Sequence, residues 1–136
     1  MQTLHASAVG FDGRAVLITG ASGTGKSALA LELIALGGVL VSDDRVVIDA
    51  REGGIWLSAP KPLAGRIEAR GMGILQVPSA PAWAAVAVDM ETVETKRLPP
   101  ERTKSLAGAT LPLLRKVESR SFAAMLQVYL RGGRVA

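Results

Sequence analysis

Eight consecutive residues, Gly20, Ala21, Ser22, Gly23, Thr24, Gly25, Lys26 and Ser27, spell G-x-x-x-x-G-K-S. This is the spacing of a Walker A phosphate loop. The glycines let the backbone curl so that successive N–H groups converge on a phosphate. Lys26 adds a point charge near the β/γ-phosphates, and Ser27 offers a hydroxyl to Mg²⁺. The flanks agree with the motif. Residues 14–19 (RAVLIT) form a short apolar, β-rich run, and residues 28–36 (ALALELIAL) are strong helix formers. Strand, glycine loop and helix in that order are the context the motif needs. The helix N-terminus adds its own partial positive charge at the phosphate.

Carboxylates follow at a useful distance. Asp43 and Asp44 stand at the C-terminal end of the apolar run 39–42. In open α/β sheets, ligands gather at that edge of the strands. A carboxylate there can hold Mg²⁺ or its waters, or accept a proton from an attacking hydroxyl. Neighbouring residues on an extended segment point to opposite sides, so at most one of the pair faces the phosphate directly. Away from a phosphate loop the pair would read as a solvated turn with an ion pair to Arg45. Glu68 can complete a Mg²⁺ site with Ser27 and Arg70 can pair with a carboxylate, although as a bare pattern a structural ion pair is the plainer reading of that segment. His5 is the only histidine. Beside the phosphate-loop strand its proton would couple to Asp44, but composition alone gives it no duty. Trp56 and Trp83 read as core or interface residues.

These groups need elements to hold them. Residues 2–9 alternate weakly and predict a first strand carrying His5, with a hairpin turn at 11–14. Gly37 and Gly38 end the phosphate-loop helix. Strands are expected at 39–42, 45–49, 55–57, 71–77 and 84–90, the last apolar enough to be central. Residues 91–100 read as a loop, 113–117 as a last strand and 121–130 as a final helix with Ser119 or Ser121 as N-cap. Strands outnumber helices beyond the phosphate-loop unit, unlike the regular alternation of an ordinary P-loop kinase. The fold class is α/β, strand-rich, with a C-terminal helix.

A chain of 136 residues, 49% hydrophobic, fits one domain (1–136) with a sizeable core and excludes disorder. There is no cysteine, which excludes disulfides and cysteine-held zinc and fits a reducing cytoplasm. No basic-then-apolar leader and no apolar run of ~18 residues is visible, so a membrane partner is not expected. The net charge of +4 divides into −3 over residues 1–95 and +7 over residues 96–136. The basic residues are interleaved with Leu, Ala and Val, with only Phe122 and Tyr129 as aromatics, so a nucleic-acid strip with stacking platforms is not expected. A solvated helix face with a few phosphate-facing arginines is the plainer reading.

Taken together, His5, the G-A-S-G-T-G-K-S loop, A-L-A-L-E-L-I, L-V-S-D-D-R-V and I-E-A-R-G-M-G-I-L-Q-V resemble the catalytic domain of bacterial HPr kinase/phosphorylase. The resemblance runs from His5 to Val77. Its distinguishing segment is E-x-R-G-x-G-I, since a Walker A loop alone selects no family. It implies the strand-rich HPr kinase fold. It also implies an ATP- and Mg²⁺-dependent kinase acting on a serine of HPr, the phosphocarrier of the phosphotransferase system. The reverse would be phosphorolysis, with phosphate attacking the phosphoserine and pyrophosphate released. By the same resemblance, Lys26 contacts phosphate, Ser27 and Glu68 bind Mg²⁺, Asp44 is the proton acceptor, His5 assists it, and Arg97 is a catalytic arginine. Hexamers are implied. Two departures are visible. The family's larger members have a preceding domain, whereas here the first motif residue is His5, as in the short alphaproteobacterial form. The family's P-V-x-x-G-R-N segment appears only as L-R-K-V-E-S-R-S at 114–121, which weakens the expectation of phosphorylase activity. A small-molecule P-loop kinase and a nucleotide-binding regulatory module are the competing readings.

Overall fold

The computed structural model describes Met1–Ala136. Its centre is the phosphate-loop unit: β2 (Ala6–Phe11), β3 (Arg14–Thr19), the glycine loop and α1 (Lys26–Ala35). Strand β2 turns into β3 through Asp12 and Gly13, both with positive φ (52° and 79°), which is the twist that suits a two-residue hairpin. The chain continues through β4 (Val39–Ser42), β5 (Val46–Arg51), β6 (Gly54–Ser58), β7 (Arg66–Ala69), β8 (Gly73–Gln76), β9 (Ala82–Val93), β10 (Thr103–Leu106) and β11 (Ala109–Lys116), and ends in α2 (Phe122–Gly132). The short strand β1 (Gln2–Leu4) precedes them all.

Nine strands share one sheet, running β1-β5-β6-β9-β3-β2-β4, with β11 also on β9 and β10 on β11. The long strand β9 is central, as its apolar run predicts. It lies parallel to β3 on one side. On its other side it pairs with β6 near its start and with β11, again parallel, near its end. The carboxyl ends of β3, β9 and β11 therefore meet at one edge, where an α/β sheet takes its ligand.

Alternation along the strands sends side chains to two cores. On β3, Val16 and Ile18 join Leu29, Leu33, Phe122 and Leu126 beneath the two helices. Ala15 and Leu17 face the other way, onto Ile48, Ile55, Leu57 and Leu111. No helix covers that second face. The sheet covers it by curling, because a single residue, His5, joins edge strand β1 to interior strand β2. This explains why strands outnumber helices.

The structure corrects several boundaries. The first strand is broken at His5 rather than continuous over 2–9. Residues 66–69 form a strand of their own, paired with β8 in a separate hairpin. Strand β9 extends to Val93, inside the segment read as loop, and β10 was not foreseen. Ser121 holds the N-cap position of α2 but makes no capping side-chain bond. Trp56 and Trp83 meet edge to face, 4.8 Å between ring centroids, with the Arg51 guanidinium 5.1 Å from the Trp56 ring, which fits their structural reading.

The end of α1 shows how tightly this unit is built. Gly38 N–H bonds the Leu33 carbonyl at 3.0 Å and Gly37 N–H that of Ile34 at 2.9 Å, closing the helix as a Schellman motif. A Cβ on Gly38 would lie 2.5 Å from Val9 Cγ1 and 2.8 Å from the Leu33 carbonyl oxygen. Gly38→Ala is expected to destabilise the fold by about 2 kcal/mol through overpacking, a fall in Tm of roughly 5–10 °C. A thermal melt matching the parent chain would show that the α1–β4 joint relaxes freely.

Candidate active site

The loop from Gly20 to Gly25 is shaped by backbone conformations that a side chain resists. Gly20 has φ 142°, and a Cβ there would sit 2.8 Å from Thr24 Oγ1. Gly25 enters α1 in the left-handed region with φ 96°. Lys26 is buried, its Nζ donating to the Gly20 carbonyl at 2.6 Å and to the Ala21 carbonyl at 3.0 Å. An ammonium carries three donors, so one remains for an incoming phosphate oxygen.

Beside this loop a cleft of about 530 Å³ is lined by His5, Lys26, Ser27, Asp44, Glu68 and Arg70, among others. The fold thus brings together residues from four separate stretches of sequence. His5 stands at the β1–β2 break, and its Nε2 lies 2.9 Å from Asp44 Oδ1. Both side chains are open to solvent. Asp44 has φ 71°, a conformation that L-residues seldom adopt and that Asp tolerates better than most. The Arg45 N–H bonds the Asp43 carbonyl across it at 2.8 Å, and the Asp44 carbonyl accepts the Ala6 N–H at 3.2 Å. These bonds pin the reversal that turns Asp44 toward His5.

Asp43 takes the other direction and was not assigned a role from sequence. It is buried beneath the loop, with Oδ1 accepting from Ser7 Oγ at 2.7 Å and from Ser27 Oγ at 2.8 Å. Because Ser27 donates its proton to Asp43, its lone pairs are left for a cation. One signal in the sequence pointed here: Ser7 is a polar residue in an otherwise apolar buried strand. Lys116 is a second residue not assigned from sequence. A register shift in the β9–β11 pairing separates it from Arg115, and its Nζ reaches the Thr24 carbonyl at 3.5 Å. Irregularities of this kind re-aim side chains near sites.

The oxygen donors Ser27, Asp43 and Glu68 fit Mg²⁺ in type. No three His, Cys, Asp or Glu side chains cluster to form a complete cage. Mg²⁺ in general keeps several waters and takes further oxygens from a phosphate chain.

The sequence model described as HPr Serine kinase C-terminal domain matches residues 1–94. The chain belongs to this family. The HPr kinase/phosphorylase of Clostridium tetani is 46% identical over 90 residues, covering 66% of this chain and 29% of that protein. The Clostridium botulinum protein of the same name is 47% identical over 74 residues, covering 54% of this chain and 24% of that one. The alignments thus span less than a third of these relatives. The Hpr(Ser) kinase/phosphatase of Coxiella burnetii shares the fold at a TM-score of 0.81 and 25% identity, over 99% of this chain and 92% of that one. The strand-rich α/β architecture expected from the resemblance is therefore the family's own.

One residue implied by the family is not in the cleft. Arg97 lines a different cavity, between α2 and the loop that follows β9. Glu94 organises that loop. Its carboxylate accepts from Arg102 Nε and Nη2, both at 3.3 Å, from the Thr95 N–H at 3.1 Å and from the Lys96 N–H at 3.3 Å. Lost solvation pushes the Glu94 carboxyl up. The Arg102 hydrogen bond, the Lys96 N–H, the Arg102 charge and the Thr95 N–H together outweigh it and hold the group below its ordinary 4.5. A folded-state value below the unfolded one means this anchor is fully present above pH 4.5 and is lost as pH falls through the folded value. Amide protection at Thr95 and Lys96 is expected to drop on that acidification, and Glu94→Gln to remove the pH dependence.

No helix is long and apolar enough to cross a membrane.

Proposed function

We propose that this chain is an ATP- and Mg²⁺-dependent protein-serine kinase acting on an HPr-type phosphocarrier. The observation that carries the reading is the His5–Asp44 pair, 2.9 Å apart in the cleft that also holds Lys26 and Ser27. A phosphate cradle with a carboxylate poised above it is the arrangement phosphoryl transfer requires.

The loop amides, the α1 N-terminus and Lys26 hold the β- and γ-phosphates of ATP. Bound Mg²⁺ would neutralise charge on those phosphates; Ser27 and Glu68 would hold it, and Asp43 would orient the Ser27 hydroxyl toward it. Asp44 accepts the proton of the serine hydroxyl as that oxygen attacks the γ-phosphorus. His5 orients the Asp44 carboxylate and stabilises its charge. In reverse, Asp44 returns the proton to the departing serine oxygen when inorganic phosphate attacks the phosphoserine and pyrophosphate forms. Arg97 lines the neighbouring cavity, and its assignment as a catalytic arginine rests on the family resemblance alone.

Two observations favour a protein over a small-molecule acceptor. Asp44 and His5 stand open to solvent at the cleft mouth. Beside Glu68 and Arg70, the exposed Met72 and Ile74 (80% and 65%) offer apolar contact to a large partner. A cytoplasmic, hexameric enzyme accords with the family.

Incubation with γ-labelled ATP, Mg²⁺ and purified HPr, followed by added phosphate, tests this. Label on an HPr serine, then its recovery as pyrophosphate, is the expected result. Label on a nucleoside or small metabolite instead would select the small-molecule kinase, and ATP binding with no transfer the regulatory module.

A further inference from the structure

The cavity that receives Arg97 is a site in its own right. It encloses about 350 Å³, within the range of small-molecule pockets. Every residue lining it lies at or beyond Glu94, where the family match ends. It shares no lining residue with the P-loop cleft.

Its walls are of two kinds. Leu114, Val117, Phe122, Leu126 and Tyr129 supply an apolar and aromatic surface from β11 and α2. Lys96, Arg97 and Arg115 supply positive charge, and none of them belongs to any of the chain's three ion pairs. Glu94, the one carboxylate side chain of the lining, is already committed to Arg102. Arg134 lines the cavity too, but its guanidinium is held by the Pro99 carbonyl and a terminal backbone oxygen of Ala136. Burial raises the Tyr129 hydroxyl above its ordinary 10.0, against the opposing charges of Arg134 and Arg14 and with a further rise from Glu101. At neutral pH it is therefore an uncharged donor. Three unpaired cations over an aromatic floor attract an anion whose remaining body is apolar, since the floor rewards buried hydrocarbon and the arginines reward carboxylate or phosphate oxygens.

We propose that the cavity between α2 and the 94–102 loop binds a small organic anion, a carboxylate or phosphate monoester on an aromatic or branched apolar body. The anionic group sits against Arg97 and Arg115, and the apolar body lies on Phe122, Leu126 and Tyr129. This site is separate from the nucleotide cleft and does not depend on the kinase reading.

The intact chain can be titrated with 1-anilinonaphthalene-8-sulfonate, a fluorescent aromatic anion, and then with competitors. One saturable site is expected, displaced by phenyl phosphate but not by inorganic phosphate or benzyl alcohol at the same concentration. Arg115→Glu is expected to weaken dye binding at least tenfold, with pyrophosphate binding at the P-loop and the thermal melt unchanged. Met125 of α2 lines the cavity as well, and Met125→Glu, a separate change on the apolar wall, is expected to weaken dye binding too. Unaltered dye affinity in both variants overturns the proposal. So does displacement by inorganic phosphate alone, which would make it a bare anion site. Displacement by ADP that is lost in Lys26→Met also overturns it, because the cavity would then be part of the nucleotide cleft.

Discussion

Asp44→Asn is expected to retain nucleotide binding and to slow phosphoryl transfer to the protein acceptor by about 10²–10⁴-fold, the usual worth of a positioned general base. The substitution is well matched to the question. Asn tolerates the positive φ of 71° at this position as readily as Asp, so the turn that pins the residue is preserved. Its amide oxygen can still accept from His5 Nε2, 2.9 Å from the present carboxylate. What it loses is the ability to take a proton. Rapid-quench transfer from labelled ATP, with nucleotide affinity measured on the same sample, separates the two effects. Transfer at the parent rate would remove Asp44 from the chemistry and leave the cleft as a nucleotide-binding site only.

A different signature is expected at Asp43, which is buried beneath the loop rather than open at the cleft mouth. Its Oδ1 holds the hydroxyls of both Ser7 and Ser27. Asp43→Asn keeps an acceptor but removes the charge, and it aims an amide group at the Glu68 N–H, now 3.5 Å from Oδ2. The affinity for Mg²⁺ with nucleotide is expected to fall about 10–100-fold, as for other residues that orient a metal ligand, with the fold intact. Asp43→Ala goes further. The fully buried Ser7 hydroxyl loses its acceptor, at a cost of about 1–3 kcal/mol. Calorimetric titration of Mg²⁺ and ADP together, alongside thermal melts, reads both changes. Equal metal affinity in Asp43→Asn and the parent would mean that Ser27 needs no help to present its lone pairs.

The two aspartates also show where reading from sequence stops. Side-chain alternation sends the pair to opposite sides of an extended segment, but the strand ends at Ser42, before both of them. Alternation does not foresee that residue 44 adopts a left-handed conformation, which returns its carboxylate to the same cleft from the rim. That turn depends on bonds to Ala6 and Ser7, about forty residues earlier in the chain. Strand β7 escaped notice for a related reason. Its exposed and buried residues alternate over only four positions, too few for a period to declare itself. Strand β10 is equally short, and its partner β11 starts only three residues later, across a turn at Ala107 and Gly108 with none of the Asn or Asp that usually mark such hairpins.

What the sequence by itself determined is local chemistry. The phosphate loop, its strand and its helix are contiguous, and their residue types alone dictate backbone geometry and charge. The apolar run of β9 likewise declared a central strand, since only a strand buried on both faces is so uniformly apolar. The tertiary structure decided which distant groups share one cleft. Curling of the sheet around His5 carries that residue to Asp44, thirty-nine positions away, and places Ser7 and Asp43 beneath Ser27. It also set Arg97 apart, because the 94–102 loop is tied by Glu94 to Arg102 and Lys116 on the side of α2. Spacing along the chain fixes a contact only where the backbone runs straight through it. Where the contact closes a long loop, the balance of packing and hydrogen bonds across the whole sheet chooses the partners.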